Sequence, residues 1–231
     1  MIYITGDLHG DINRFSDEFL PNQSEWTEQD YLIVCGDFGF IFFDNEREKE
    51  KLDLLEKKPF NILFVDGNHE NFNALYKYPV EDFCGGKTHK IRKNIRHLMR
   101  GQCFTIEGKT FFTMGGAYSI DRAMRQKNVS YWDTEMPNNE EYKEASDTIF
   151  KNNNKFDFII THTAPRMIIR FLGYYPDFHD MELTGYLEWV EYSCEFKKWF
   201  FGHFHEDESL LDEKFRAMYY DIEMIGDEKD D

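Results

Sequence analysis

The sequence predicts a layered α/β protein, and three observations carry that prediction. Short apolar runs rich in β-branched and aromatic residues recur along the chain, each of strand length. Charged stretches with apolar residues at helical spacing lie between some of them. At 231 residues the chain is long enough for one sizeable hydrophobic core.

The runs are Ile2 to Thr5, Tyr31 to Cys35, Ile62 to Val65, Phe111 to Met114, Phe158 to Thr161 and Trp199 to Phe201. Continuous apolar character of this kind suits strands covered on both faces. Arg14 to Leu20 and Arg47 to Lys57 read as helices laid over a sheet. The stretches around Gly85 and Asn152 are loops inside one domain, because apolar runs resume on both sides of each. One domain is therefore expected over residues 1–225, followed by an acidic tail at 226–231 that has nothing to bury.

Lysine and arginine number 27 against 44 acids, a formal net charge of -17, so the averaged field repels nucleic acid and anionic membranes. Residues 87–100 depart from this background: Lys87, Lys90, Arg92, Lys93, Arg96 and Arg100 run without an acid. Such a segment either tracks a phosphodiester backbone or forms a strand pair whose cations find acids elsewhere. Cys35, Cys84, Cys103 and Cys194 include no CxxC pair, which argues against a thiolate zinc site and a disulfide framework. The N-terminus lacks a basic, long-apolar leader, and no run approaches the roughly 18 apolar residues of a membrane span. A cytoplasmic protein without membrane contact is expected.

Ligand-type residues follow the strands. Asp7 and His9 come after the first, Asp37 after the second, Asn68 and His69 after the third, and His162 and then His203 and His205 after the last two. In open sheets the carboxyl ends of strands form the ligand crevice, so these residues can converge there. A set of imidazole nitrogens with carboxylate and amide oxygens, and no thiolate, suits two divalent or trivalent ions, Mn or Fe ahead of Zn. Asp37 is the natural bridge, because one carboxylate can share its oxygens between cations roughly 3.5 to 4 Å apart. In an extended segment the i and i+2 side chains point the same way, which pairs Asp7 with His9 and His203 with His205.

Five motifs, GDLHG at 6–10, GD at 36–37, GNHE at 67–70, THTAP at 161–165 and GHFH at 202–205, resemble in order and spacing those of the calcineurin-like metallophosphoesterases. The resemblance implies a four-layer α/β/β/α sandwich of two mixed sheets with a dinuclear site at one edge. It places one metal on Asp7, His9, Asp37 and His205 and the other on Asp37, Asn68, His162 and His203. His69 resembles the family's histidine that contacts the phosphate and protonates the leaving oxygen, while Glu70 and Asp11 read as supports. The implied reaction is hydrolysis of a phosphomonoester or phosphodiester, with a metal-bridging hydroxide attacking phosphorus in line.

The sequence departs from the family's GDxxDR form, because Asp37 is followed by Phe38, Gly39, Phe40 and Ile41. The second Asp and the phosphate-clamping Arg are missing. Arg122 and Arg166 are the substrate-binding candidates, each near a strand end, with Arg125 behind them. Two other readings stand beside the hydrolase: a nuclease or nucleic-acid-binding protein using 87–100, and an inactive scaffold of the same fold.

Overall fold

A computed structural model describes residues 1–226, so all but the first residue of the expected acidic tail lies outside the described residues. In chain order the strands are β1 (Ile2–Thr5), β2 (Tyr31–Val34), β3 (Asn61–Phe64), β4 (Val80–Phe83), β5 (Gly86–Arg92), β6 (Ile95–Leu98), β7 (Gln102–Ile106), β8 (Lys109–Met114), β9 (Phe158–Thr161), β10 (Lys198–Phe201), β11 (Glu208–Leu210), β12 (Phe215–Ala217) and β13 (Ile222–Ile225). The helices are α1 (Glu46–Leu55), α2 (Phe72–Leu75), α3 (Asn139–Lys151), α4 (Arg166–Phe171) and α5 (Met181–Ser193).

Two mixed sheets result, of order β13-β1-β2-β3-β6-β5-β4 and β11-β12-β10-β9-β8-β7. Strands β1, β2 and β3 run parallel, as do β8, β9 and β10. Side-chain alternation sorts these strands into layers. Ile2, Ile4, Ile33, Leu63, Phe111, Ile160 and Phe200 form one core shared by both sheets. Leu32, Val34, Ile62 and Phe64 point the other way, onto Leu52 and Leu55 of α1. Ile159, Trp199 and Phe201 face Ile149, Ile168 and Leu187 of α3, α4 and α5. The arrangement is the four-layer α/β/β/α sandwich that the motifs imply.

Helix α1 occupies the expected stretch, capped by the Asn45 side chain, which accepts from the Glu48 N–H at 3.0 Å. The helix expected at Arg14 to Leu20 is instead a short 3-10 segment at Ile12–Phe15 followed by turns. Its arginine explains the difference. Arg14 is buried, and its guanidinium donates to the Asp7 and Tyr219 carbonyls and to Thr5 Oγ1, which holds the segment against the strand ends. No helix among the described residues is long and apolar enough to cross a membrane.

Candidate metal centre

Parallel pairing places the site. Thr5 lies beside Val34, and Val34 beside Phe64, so Asp7, Asp37 and Asn68 leave the first sheet at one end. Strands β9 and β10 are likewise parallel and deliver His162 and His203 from the second sheet. Three overlapping groups of ligand atoms form: Asp7 with His9 and His205, His9 with Asp37 and His69, and Asp7 with Asp37 and His162.

Asp37 faces two ways. Its Oδ2 is 3.8 Å from His9 Nε2, and its Oδ1 is 3.4 Å from His162 Nε2. Asp7 Oδ2 lies 3.2 Å from His205 Nε2 and 3.8 Å from His9 Nε2. Asn68 Oδ1 is 3.1 Å from His162 Nε2, whose other ring nitrogen donates to the Cys35 carbonyl at 2.8 Å. That carbonyl fixes the tautomer and turns the Nε2 lone pair inward, as outer partners of metal-binding histidines do. His203 packs edge-on to His162, with ring centroids 5.0 Å apart.

Asp7 and Asp37 are 1% and 2% exposed, and among the described residues their side chains form ion pairs with histidines rather than with lysine or arginine. Burial raises the Asp37 carboxyl, yet His162, His69, His9 and the His69 N–H outweigh it and hold the group below the usual carboxylate range. Burial together with His162 lowers His203 to about 4, which keeps its lone pair free. Two buried carboxylates ringed by imidazoles form an oxygen and nitrogen donor set that fits cations.

The local backbone differs from the extended reading. His9, Asp37, His203 and His205 have φ of 47, 45, 70 and 54°, so the residues beyond the strands turn through the left-handed region. The i and i+2 rule therefore fails at GHFH: His205 goes to Asp7 and His9, while His203 goes to His162. Such conformations cost non-glycine residues of order 1–3 kcal/mol each and persist where surrounding contacts impose them. Glycines carry the close approaches, Gly67 among them, where a Cβ would overlap Asp37 Oδ1. A Cβ on Gly36 would overlap the His162 ring, and one on Gly202 would overlap Asp7 Oδ1.

The sequence model of the calcineurin-like phosphoesterases matches residues 1–207. The chain belongs to that family. No curated protein matches it. Among solved structures, a candidate 5'-nucleotidase from Staphylococcus aureus, solved in complex with alpha-ketoglutarate, aligns with a TM-score of 0.52 at 12% identity. The alignment covers 94% of this chain and 48% of the other, so this chain spans about half the length of that protein. Phosphopantetheinyl hydrolase from Mycobacterium tuberculosis aligns at a TM-score of 0.45 and 16% identity, over 94% of this chain and 87% of the other. The first likeness supports the calcineurin-like fold.

Within this phosphoesterase frame, the positions of the missing GDxxDR residues are structural. Phe40 and Ile41, which stand where the Asp and Arg would be, are buried, and beside them Phe38 stacks on Phe64 at 4.3 Å. Glu70 supports the same turn, accepting from the Phe38 N–H at 2.7 Å; burial and Asp37 push its carboxyl well up. Asp11 accepts from the Asn13 N–H at 3.0 Å.

The arginines are distributed differently from the sequence expectation. Arg122 donates to the Trp132 carbonyl and to Asp133, lies 3.5 Å from Glu135 Oε1, and sits over the rings of Tyr118 and Tyr131. Arg166 is held by Glu188 across α4 and α5. The guanidinium beside the cage belongs to Arg125, whose Nη2 is 2.9 Å from His69 Nε2 and whose Nε pairs with Asp121 at 2.6 Å. The sequence also gave no sign of Ser119, which accepts from Asn68 Nδ2 at 3.3 Å and donates to the buried Glu135 at 2.9 Å.

The basic segment proves to be a paired hairpin. Lys87 lies near Glu144, Lys90 and Arg96 pair with Glu81, Arg92 pairs with Asp53, and Arg100 pairs with buried Asp66. These contacts engage five of the six cations, which turns the segment towards acids of the same chain.

Proposed function

We propose that the chain hydrolyses phosphomonoesters or phosphodiesters with two metal ions. One would be held by Asp7, His9, Asp37 and His205, and the other by Asp37, Asn68, His162 and His203. The observation that carries this reading is Asp37, whose two oxygens face His9 on one side and His162 on the other. When bound, such a pair of cations neutralises phosphoryl oxygens and lowers the pKa of water. Residues 1–225 act as one unit in this reading, since β13 returns to pair with β1.

The chain's own groups do the rest. Arg125 offers a planar fork of donors to the phosphoryl oxygens, in place of the arginine absent after Asp37. His69, beside it, delivers a proton to the leaving oxygen. Its backbone N–H donates to Asp37 Oδ1 at 2.7 Å, which ties the imidazole's position to the bridge. The hydrolase is favoured over an inactive scaffold because all seven inferred ligands and His69 are present.

The test joins metal analysis with turnover of an aryl monoester, an aryl diester, cyclic nucleotides and RNA under Mn. About two metal equivalents per chain are expected, with turnover of at least one ester and loss of both in Asp37→Ala. One equivalent, or no turnover of any ester, would overturn the reading. The acid role is tested by His69→Ala at unchanged metal content: an alkyl ester cleaved at the wild-type rate refutes it.

A further inference from the structure

We infer that the substrate's leaving group is apolar where it meets this chain, and that it lies against a rim formed by Ile120, Met124 and Phe43. This rests on the phosphoesterase reading above and adds the class of ester to it.

The segment carrying two of these residues is attached to the site at two points. Ser119 accepts from Asn68, and Arg125 reaches His69. Between these anchors Ile120 is 77% and Met124 86% exposed. Phe42 also stands with its ring 6.0 Å from the imidazole, and Phe43, 71% exposed, packs edge-on against Phe42 at 5.0 Å. Three large apolar side chains thus stand in water on the two segments that meet Asn68 and His69, the latter being the group assigned to protonate the leaving oxygen.

Their cost in water is removed only by something apolar that arrives there. The phosphoryl end of an ester is polar and belongs with the cage and Arg125. The ester group is the part left to cover the rim. The surrounding chain, at a net charge of -17, repels a second anionic group, whereas a neutral alkyl or aryl group meets no such opposition.

The experiment measures kcat/KM of the metal-loaded full chain on n-alkyl phosphates and methyl n-alkyl phosphodiesters of two to eight carbons. Full burial of a methylene gives about fourfold, so half-contact against the rim predicts roughly twofold per methylene. The double variant Ile120→Ser/Met124→Ser should lose at least half of the slope of log kcat/KM against chain length. Tyr192→Ser, an exposed residue of α5, should keep it. Turnover that is flat with chain length, or a slope unchanged in the double variant, overturns the inference and leaves the phosphoesterase reading intact. No turnover of any ester overturns that reading and the inference with it.

Discussion

The Nη2 of Arg125 stands 2.9 Å from Nε2 of His69. A guanidinium only donates, so the imidazole accepts here and carries its proton on Nδ1. Burial lowers the His69 pKa, Asp37 opposes this, and Arg125 adds to the lowering. A phosphate oxygen that draws Arg125 away removes the competing donor and brings negative charge, and both changes favour a protonated ring. In the proposed mechanism, substrate arrival and readiness of His69 as the acid would thus be coupled.

Arg125→Ala should therefore lower kcat/KM by about 10- to 100-fold, matching the roughly 1.5–3 kcal/mol of a hydrogen bond to a charged group. Arg125→Lys should recover part of the loss, since it restores the charge without the fork. Arg166→Ala, which breaks a partly exposed pair with Glu188, should stay within about twofold. Steady-state kinetics at matched metal content decides; equal losses from Arg125 and Arg166 variants would remove the clamp assignment.

Gly202→Ala tests how the cage is walled. The new methyl would overlap Asp7 Oδ1 and stand 2.7 Å from the Cys35 carbonyl oxygen. Displacement of Asp7 should reduce bound metal, and overpacking should destabilise the fold by about 1–3 kcal/mol. Metal analysis and urea unfolding of the variant give both numbers. Full metal occupancy would mean that Asp7 is not held as described.

The buried Asp66 lies immediately before the GNHE motif. Its carboxylate accepts from Arg100 Nε at 2.9 Å and lies 3.0 Å from His97 Nε2. Arg100 also donates to the carbonyls of Thr134 and Glu135, tying the strand end to the loop that supports Ser119. Arg100→Met leaves a buried carboxylate without its cation and should cost about 3–5 kcal/mol. Denaturant unfolding should show it as a shifted midpoint; a shift worth under about 1 kcal/mol contradicts the assignment.

Stability should fall with pH through one identifiable group. Burial raises the Asp180 carboxyl from its ordinary 3.8 to about 7, while its Oδ1 accepts from the Tyr118 N–H at 2.9 Å. Between those values the folded chain holds a proton that the unfolded chain has released. The contribution is complete below about pH 4 and is lost as pH rises through 7, at up to about 1.4 kcal/mol per unit. Asp180→Asn keeps an acceptor for Tyr118 and should flatten the dependence over this window. Parallel pH profiles for wild type and variant would refute the assignment.

Much of this was legible in the sequence because the relevant signals are local. The six apolar runs became β1, β2, β3, β8, β9 and β10, since short β-branched and aromatic stretches fit a sheet covered on both faces. The donors beyond those strands needed only the rule that strand ends form crevices. The error at Arg14 to Leu20 shows where local signals stop. Its spacing suited a helix, but the buried Arg14 is recruited by Asp7, Thr5 and Tyr219, the last of them 205 residues away.

The sequence by itself determined the fold family, the order of the strands that bear donors, and the kinds of donor gathered at their ends. Only the tertiary structure decided that the backbone turns through the left-handed region at His203 and His205, that Arg125 rather than Arg122 or Arg166 stands beside His69, and that 87–100 is a paired hairpin. The reason is physical. Periodicity and motif spacing record what each residue does relative to its chain neighbours. A contact across 56 residues, such as Arg125 to His69, depends on how loops settle once both sheets have packed.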